Sequence, residues 1–299
     1  MALLELDNLS KSYGGTPALR GLTLRIEAGS VYGLLGPNGS GKTTTLGLAL
    51  GVLQASGGTV RWFGQPLSSA SKRRVGALLE TPNFFPYLSA RQNLLLAADV
   101  KRADHATVDT ALELAGLSAR QHDAFRGFSL GMKQRLALAS TLLGNPEVLV
   151  LDEPTNGLDP QGIAEVRELI QRLAAEGKTI IIASHLLDEV EKVCTHVAVL
   201  QRGELRTAGA VRSILAATDR VAVRVAPDLP PVALAQALSQ LPWVSDVKTE
   251  AAGTFSAVLA AGHSPADLNR ALFAQGVILA GLELRHRTLE AQFLEIIKN

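Results

Sequence analysis

Residues 36–43 read GPNGSGKT, satisfy the pattern G-x-x-x-x-G-K-[ST], and decide the fold class of the chain. The apolar run VYGLL (31–35) precedes them, and a helical pattern opens at Thr44. Glycines let successive backbone N–H groups turn toward one anion, and a helix N-terminus adds partial positive charge. Lys42 supplies a mobile cation for β- and γ-phosphates, and the Thr43 hydroxyl can reach Mg²⁺. The stretch therefore predicts a triphosphate site, against the alternative of a glycine-rich turn that only caps a helix.

Short apolar runs on either side of this loop predict the buried strands of a parallel sheet. They lie at 31–35, 75–79, 148–151, 179–183 and 197–200. Residues 3–7 and 22–26 alternate apolar and polar side chains, as half-buried strands do. Helical patterns occupy 104–115 and 160–176, and Asp159 is a good N-cap for the second. The order of these elements predicts a mixed α/β fold over the first 218 residues.

Two carboxylates follow the strand predicted at 148–151. Asp152 and Glu153 come directly after VLVL, where a buried charge is costly unless it meets a cation or a proton. In a nucleotide site Asp152 can hold Mg²⁺ through water, and Glu153 can polarise or deprotonate the attacking water. The alternative is an ordinary exit from strand to loop.

Length and composition limit the class of protein further. A chain of 299 residues with 47% hydrophobic and 19% charged residues suggests two domains and excludes wholesale disorder. Lys+Arg (29) and Asp+Glu (28) nearly balance, which argues against nucleic acid as the main partner. Cys194 is the single cysteine, so no intrachain disulfide forms, and we expect it to be buried. No apolar run approaches the roughly 20 residues of a membrane-spanning helix.

A second, smaller module is predicted after a shift in composition near 218–231. The order there is strand 220–225, helix 232–240, strands 244–250 and 254–260, helix 265–275, strand 277–285 and helix 288–298. Ser264 to Asp267 resembles a capping box. The βαββαβ order predicts a ferredoxin-like α+β module followed by a terminal helix.

Four further motifs make residues 1–218 resemble the ATP-binding cassette (ABC) ATPases. Tyr13 looks like the aromatic residue that stacks on adenine, although it could also be a packed tyrosine at a strand end. Residues 128–135 (FSLGMKQR) resemble the signature LSGGQ-x-Q-R, with Leu130 in place of the first glycine and Met132 in place of the glutamine. Residues 157–160 (GLDP) look like the loop that crosses the dimer interface, and His185 looks like the switch histidine.

The resemblance implies a P-loop NTPase cassette with a mixed-sheet core and a helical subdomain at about 83–145. It implies domains 1–218 (ATP binding) and 219–299 (accessory or regulatory), with ATP and Mg²⁺ as cofactors. Catalytic roles fall on Glu153, His185 and Lys42, and metal ligation falls on Thr43, Glu80 and Asp152. The residues implied to contact nucleotide are Tyr13, Gly36, Asn38, Gly39, Ser40, Gly41, Lys42, Thr43, Thr44, Ser129, Gly131 and Asp159.

The signature also implies a second subunit. Ser129 lies where a helix pattern begins, and a serine hydroxyl at a helix N-terminus is a good γ-phosphate receptor. In the family geometry this surface covers ATP that is bound to the other subunit. We therefore expect two subunits, as a homodimer or a heterodimer, which close around two ATP molecules and reopen after hydrolysis.

One departure from the family pattern points to a branch of it. Glu80 takes the place of the usual glutamine after strand 75–79, and an aromatic cluster (Phe84, Phe85 and Tyr87) follows. The cluster is either a groove for a partner's helix or packing against the helical subdomain. Glu80 and the sequence SLGMK (129–133) are similar to the bacitracin and lantibiotic resistance or immunity exporters.

The predicted function is that of the ATPase subunit that energises an ABC exporter of drugs, antibiotic peptides or similar compounds. A transmembrane permease would hold it at the inner face of the cell membrane. Two alternatives remain: a soluble ABC ATPase without a transporter, and a nucleotide-regulated binding module with little turnover. Glu153 argues against the second alternative.

Overall fold

A computed structural model describes residues 2–79, 84–216, 220–227, 229–251, 253–260, 262–285 and 288–298. The chain divides into two units, Met1–Ala210 with Ile296–Asn299, and Val211–Glu295. The predicted boundary between 218 and 219 lies outside the described residues. The assignment of 1–218 and 219–299 to separate functions stays a prediction.

The described residues of the first unit form two sheets. Its strands are β1 (Ala2–Tyr13), β2 (Thr16–Glu27), β3 (Val31–Leu35), β4 (Gly57–Trp62), β5 (Gln65–Pro66), β6 (Val75–Leu78), β7 (Val148–Asp152), β8 (Thr179–Ser184), β9 (His196–Gln201) and β10 (Glu204–Ala210). One sheet has the order β10-β9-β3-β8-β7-β6 and is parallel except for β10. The other sheet has the order β2-β1-β4-β5 and is antiparallel.

The five runs predicted as parallel strands are confirmed, because they form β3, β6, β7, β8 and β9. Every residue of β3 and β8 is buried, as expected of strands covered on both faces. The half-buried strands predicted at 3–7 and 22–26 lie in β1 and β2 of the antiparallel sheet. A mixed sheet with helices therefore forms the core of this unit, as the sequence indicated.

The helices of the first unit are α1 (Lys42–Ala49), α2 (Ser69–Arg73), α3 (Ala90–Lys101), α4 (Ala106–Leu114), α5 (Leu130–Leu142), α6 (Pro160–Ala175) and α7 (Leu187–Val193). Helices α3, α4 and α5 pack on one another between β6 and β7 in the chain. Helix α4 begins two residues later than predicted, and the Asp104 carboxylate accepts the Ala106 N–H at 2.9 Å there. Among the described helices, none combines the length and apolar character needed to cross a bilayer.

The second unit has the predicted order of elements. After α8 (Val211–Ala216) come β11 (Arg220–Val225), α9 (Pro231–Ser239), β12 (Val244–Ala251), β13 (Thr254–Leu259), α10 (Pro265–Ala274), β14 (Leu279–Arg285) and α11 (Leu289–Lys298). Its sheet is antiparallel with the order β12-β13-β11-β14. Val223, Leu234 and Leu268 are fully buried in a core that strands and helices share. The capping box predicted at Ser264 is present.

Candidate nucleotide-binding site

The loop between β3 and α1 is built around glycines that admit no side chain. A Cβ on Gly36 would overlap the Ser40 Oγ and the Leu200 carbonyl oxygen. Gly41 has φ +105°, and its Cβ would lie 2.9 Å from the Ala18 carbonyl oxygen. The loop therefore adopts a conformation that other residues resist, while its outer residues Asn38 and Gly39 are exposed to solvent.

Lys42 lies beneath this loop. Its side chain is buried, and its Nζ donates to the Gly36 carbonyl oxygen at 2.8 Å. The same Nζ lies 3.9 Å from the Glu153 Oε1 at the end of β7. The structure thus brings together the cation and the carboxylate that the sequence predicted, from the start of α1 and the end of β7, 111 residues apart in the chain.

The Asp152 carboxylate lies close to the Thr43 hydroxyl and the Lys42 ammonium. It lies on the last residue of β7, and its Oδ1 is buried without a hydrogen-bond partner. Burial raises the pKa of Asp152, and a hydrogen bond from the Thr43 hydroxyl opposes that shift. The proximity of the Glu153 carboxylate raises the pKa of Asp152 further. Thr43 and Asp152 are therefore neighbours, as a shared metal site requires.

Glu153 contacts the predicted switch histidine. Its Oε2 lies 2.8 Å from His185 Nδ1, and the His185 backbone N–H lies 3.4 Å from the same oxygen. His185 follows β8, the strand next to β7, so the neighbouring carboxyl ends of two parallel strands position the pair. Glu153 has φ +47°, in the left-handed region that few residues other than glycine adopt.

Ser129, Gly131 and Asp159 line a separate open depression of about 450 Å³. Ser129 caps helix α5, since its Oγ accepts the Met132 N–H at 3.3 Å. Asp159 caps helix α6, since its Oδ1 accepts the Gly162 N–H at 2.9 Å. No residue of 36–44 is among the lining of this depression in the described chain. The three residues thus form a surface apart from the loop.

The remaining predicted residues are placed as follows. Tyr13 is 49% exposed at the end of β1, with Lys11 Nζ 5.1 Å from its ring centroid, so it is not the packed tyrosine of the alternative. Ser40 is buried, and its Oγ has no hydrogen-bond partner. Thr44 is half-buried in the first turn of α1. Glu80 lies outside the described residues.

The aromatic cluster is divided between the two expectations. Phe84 packs edge-on against Phe125, with ring centroids 5.2 Å apart. Phe85 and Tyr87 are 48% and 70% exposed. The buried amide of Asn93 ties this segment to helix α3, because it accepts the Phe85 N–H at 2.8 Å. Part of the cluster is therefore packing, and part is exposed apolar surface.

One residue of the signature stretch was not among the predicted site residues. Gln134, on α5, is buried, and its Nε2 donates to the Pro154 carbonyl oxygen at 2.8 Å. Its place in the stretch FSLGMKQR (128–135), where it matches the second glutamine of the signature pattern LSGGQ-x-Q-R, was the available signal.

This fold and this set of side chains define a P-loop nucleotide-binding protein. A family model described as ABC transporter matches residues 19–156. The bacitracin transport ATP-binding protein BcrA of Bacillus licheniformis is 42% identical over 212 residues, 68% of this chain and 68% of that protein. The lantibiotic transport ATP-binding protein SrtF of Streptococcus pyogenes is 38% identical over 203 residues, 68% of this chain and 89% of that protein.

A solved structure extends the comparison. The ATP-binding cassette MJ0796, in a dimeric post-hydrolysis state bound to ADP and phosphate, is 25% identical with a TM-score of 0.63. The match covers 70% of this chain and 99% of that one. The chain therefore belongs to the ABC transporter family as an ATP-hydrolysing, ATP-binding subunit, and the resemblance drawn from its motifs is confirmed.

Proposed function

We propose that Glu153 is the general base of ATP hydrolysis, with Lys42 on the β- and γ-phosphates and His185 at the γ-phosphate. One observation carries the proposal: Glu153 Oε1 lies 3.9 Å from Lys42 Nζ, and Glu153 Oε2 lies 2.8 Å from His185 Nδ1. A carboxylate between these groups is in position to take a proton from water that attacks a phosphate held by the lysine. His185 fixes the orientation of that carboxylate.

Thr43 and Asp152 would hold Mg²⁺ at this site. The unpartnered, buried Oδ1 of Asp152 fits such an ion, because carboxylate and hydroxyl oxygens are the ligands that Mg²⁺ prefers. When bound, Mg²⁺ neutralises charge on the phosphate oxygens. Glu80 stays a predicted ligand.

Two such chains would bind ATP between them as a homodimer. Ser129, Gly131 and Asp159 share one open depression, and the capped N-termini of α5 and α6 both lie at it. Helix N-termini attract anions, so this surface suits the γ-phosphate of ATP held by the partner. The dimeric cassette with ADP and phosphate, described above, supports this assembly.

The chain would energise the export of antibiotic peptides, drugs or similar compounds by a membrane permease. The named relatives in bacitracin and lantibiotic transport support this over a soluble ATPase without a transporter. Phe85 and Tyr87 offer the exposed apolar surface for a helix of that permease. The protein would then lie at the inner face of the cell membrane, held there by its partner.

The base role is tested with Glu153→Gln. We expect phosphate release to fall at least about a hundredfold and ATP-bound dimers to accumulate in size-exclusion chromatography. Glu113→Gln, which changes an exposed glutamate on α4, is the matched control and should hydrolyse ATP at the wild-type rate. Wild-type turnover of Glu153→Gln would remove Glu153 from this role.

The permease role is tested by pull-down of tagged protein from membranes. We expect recovery of a multi-span membrane protein, and Tyr87→Ser should reduce it while ATP hydrolysis by the isolated chain persists. Val52→Ser, which changes another exposed apolar residue, is the control. Recovery from the cytosol alone, with no membrane protein, would favour the soluble alternative.

A further inference from the structure

The backbone at Glu153 is held in a conformation that it would not adopt by itself. Its φ of +47° lies in the left-handed region, which is sterically unfavourable for a residue with a side chain. Such a conformation persists only where the surroundings over-determine it. Two backbone hydrogen bonds contribute: the Glu153 N–H donates to the Ala183 carbonyl at 2.9 Å, and the Glu153 carbonyl accepts the Asn156 N–H at 3.1 Å.

A third hydrogen bond comes from a side chain on another element. Gln134 Nε2 donates to the Pro154 carbonyl oxygen at 2.8 Å, and both residues are buried. Proline has no N–H and a fixed φ, so this carbonyl is the only polar group by which its peptide can be held. The bond therefore anchors the residue that directly follows Glu153.

Gln134 differs in this respect from the other buried polar residues of α5. Ser140 and Thr141 donate to carbonyls of their own helix, Ala137 and Leu138, at 2.7 Å each. Gln134 reaches out of the helix to the end of β7. Its hydrogen bond thus links α5 to the residue after Glu153, whereas those of Ser140 and Thr141 stay within α5.

We infer that Gln134 is a positioning residue that couples helix α5 to Glu153. The first turn of α5 carries Gly131, and Ser129 caps it, so a force on this surface is passed along the helix to the Pro154 carbonyl. A second subunit that presses its nucleotide on Ser129 and Gly131 would thereby set the position of the base in this chain. The inference rests on the proposed role of Glu153 and on the proposed dimer.

The test compares Gln134→Met, which keeps the length but loses the donor, with Thr141→Val, which removes another buried polar group from the same helix. We expect kcat of Gln134→Met to fall at least tenfold, with KM for ATP within about twofold of wild type, because a misplacement of about 1 Å costs up to a hundredfold. Thr141→Val should keep kcat within about twofold. A kcat of Gln134→Met that stays within twofold of wild type, or falls no further than that of Thr141→Val, overturns the inference.

A second variant guards against misfolding. Gln134→Leu keeps a side chain of similar size at this buried position and has no donor, so we expect the same loss of kcat at unchanged KM. If Glu153→Gln, measured alongside, retains turnover, the proposed base role fails. If Glu153→Gln is inactive while both Gln134 variants turn over normally, only the coupling fails.

Discussion

Gly131 lies in the first turn of α5 at a place where its own chain has no need for glycine. Its φ is outside the left-handed region, and no atom lies within 4 Å of a Cβ built on it. Glycine inside a helix is about 0.5–1 kcal/mol less stable than alanine. We therefore expect Gly131→Ala to stabilise the protein by about 0.5 kcal/mol, at the lower end of that range because the position is close to the helix start.

The same substitution should abolish most of the turnover. A methyl group on this surface would lie where the partner's nucleotide has to approach the N-terminus of α5. Since a displacement of about 1 Å can cost up to a hundredfold in rate, we expect phosphate release to fall at least tenfold. ATP binding to residues 36–44 of the same chain should not change.

Three measurements separate these effects: thermal unfolding, ATP affinity of the monomer, and phosphate release at saturating ATP. Gly127→Ala is the matched control, because a Cβ there also meets no atom within 4 Å and the residue precedes the predicted contact set. A Gly131→Ala protein that is more stable and still hydrolyses ATP at the wild-type rate would refute the idea that a nucleotide approaches this turn.

Three further outcomes follow from ionisable groups whose pKa is shifted by full or partial burial. Burial raises the pKa of Asp152, so Asp152→Asn should stabilise the nucleotide-free protein by about 1 kcal/mol or less at neutral pH and should weaken Mg²⁺-dependent ATP binding. The gain in stability should vanish in acid, where the carboxyl is protonated in both the folded and the unfolded chain. Thermal unfolding with and without MgATP measures both effects. Lys101 is exposed as a whole, but its Nζ donates to the Ser140 carbonyl oxygen, and partial burial there lowers the pKa of Lys101 from 10.5 to about 8. Its charge therefore destabilises the fold most below pH 8, and the stability advantage of Lys101→Met in urea unfolding should shrink between pH 8 and 10.5. Burial raises the pKa of Cys194 to about 12, so a thiol reagent at pH 8 should label the native chain at least roughly a hundredfold more slowly than the unfolded chain.

The parts of this fold that the sequence predicted are those with a strong local signal. The fully buried strands are recognisable in the sequence as apolar runs, because burial on both faces excludes an alternation of apolar and polar residues. The loop at 36–43 is recognisable by its glycines, of which Gly36 and Gly41 leave no room for a side chain. The helix caps are recognisable by a hydroxyl or carboxylate side chain before a helical pattern, at Ser129, Asp159 and Ser264.

The parts that could not be predicted depend on tertiary contacts. No local preference places Glu153 at φ +47°, since sterics disfavour it there. The distant Ala183 carbonyl accepts its N–H, and the Gln134 amide holds the next residue, Pro154. Neither partner is identifiable by spacing along the chain. The packing of the Phe84 ring likewise depends on Phe125, about 40 residues away in the chain.

The glycines of this protein fall into two groups that a motif does not distinguish. Gly36 and Gly41 are required by packing within the chain, so their presence would be expected even of a turn that only caps a helix. Gly131 has no such reason, and the unpartnered Oδ1 of Asp152 is likewise unexplained by folding alone. Features that cost stability and satisfy nothing inside the chain are the ones that point outward, to a ligand or a second subunit. The case for function is therefore stronger at the signature turn and the end of β7 than at the glycines of the loop itself.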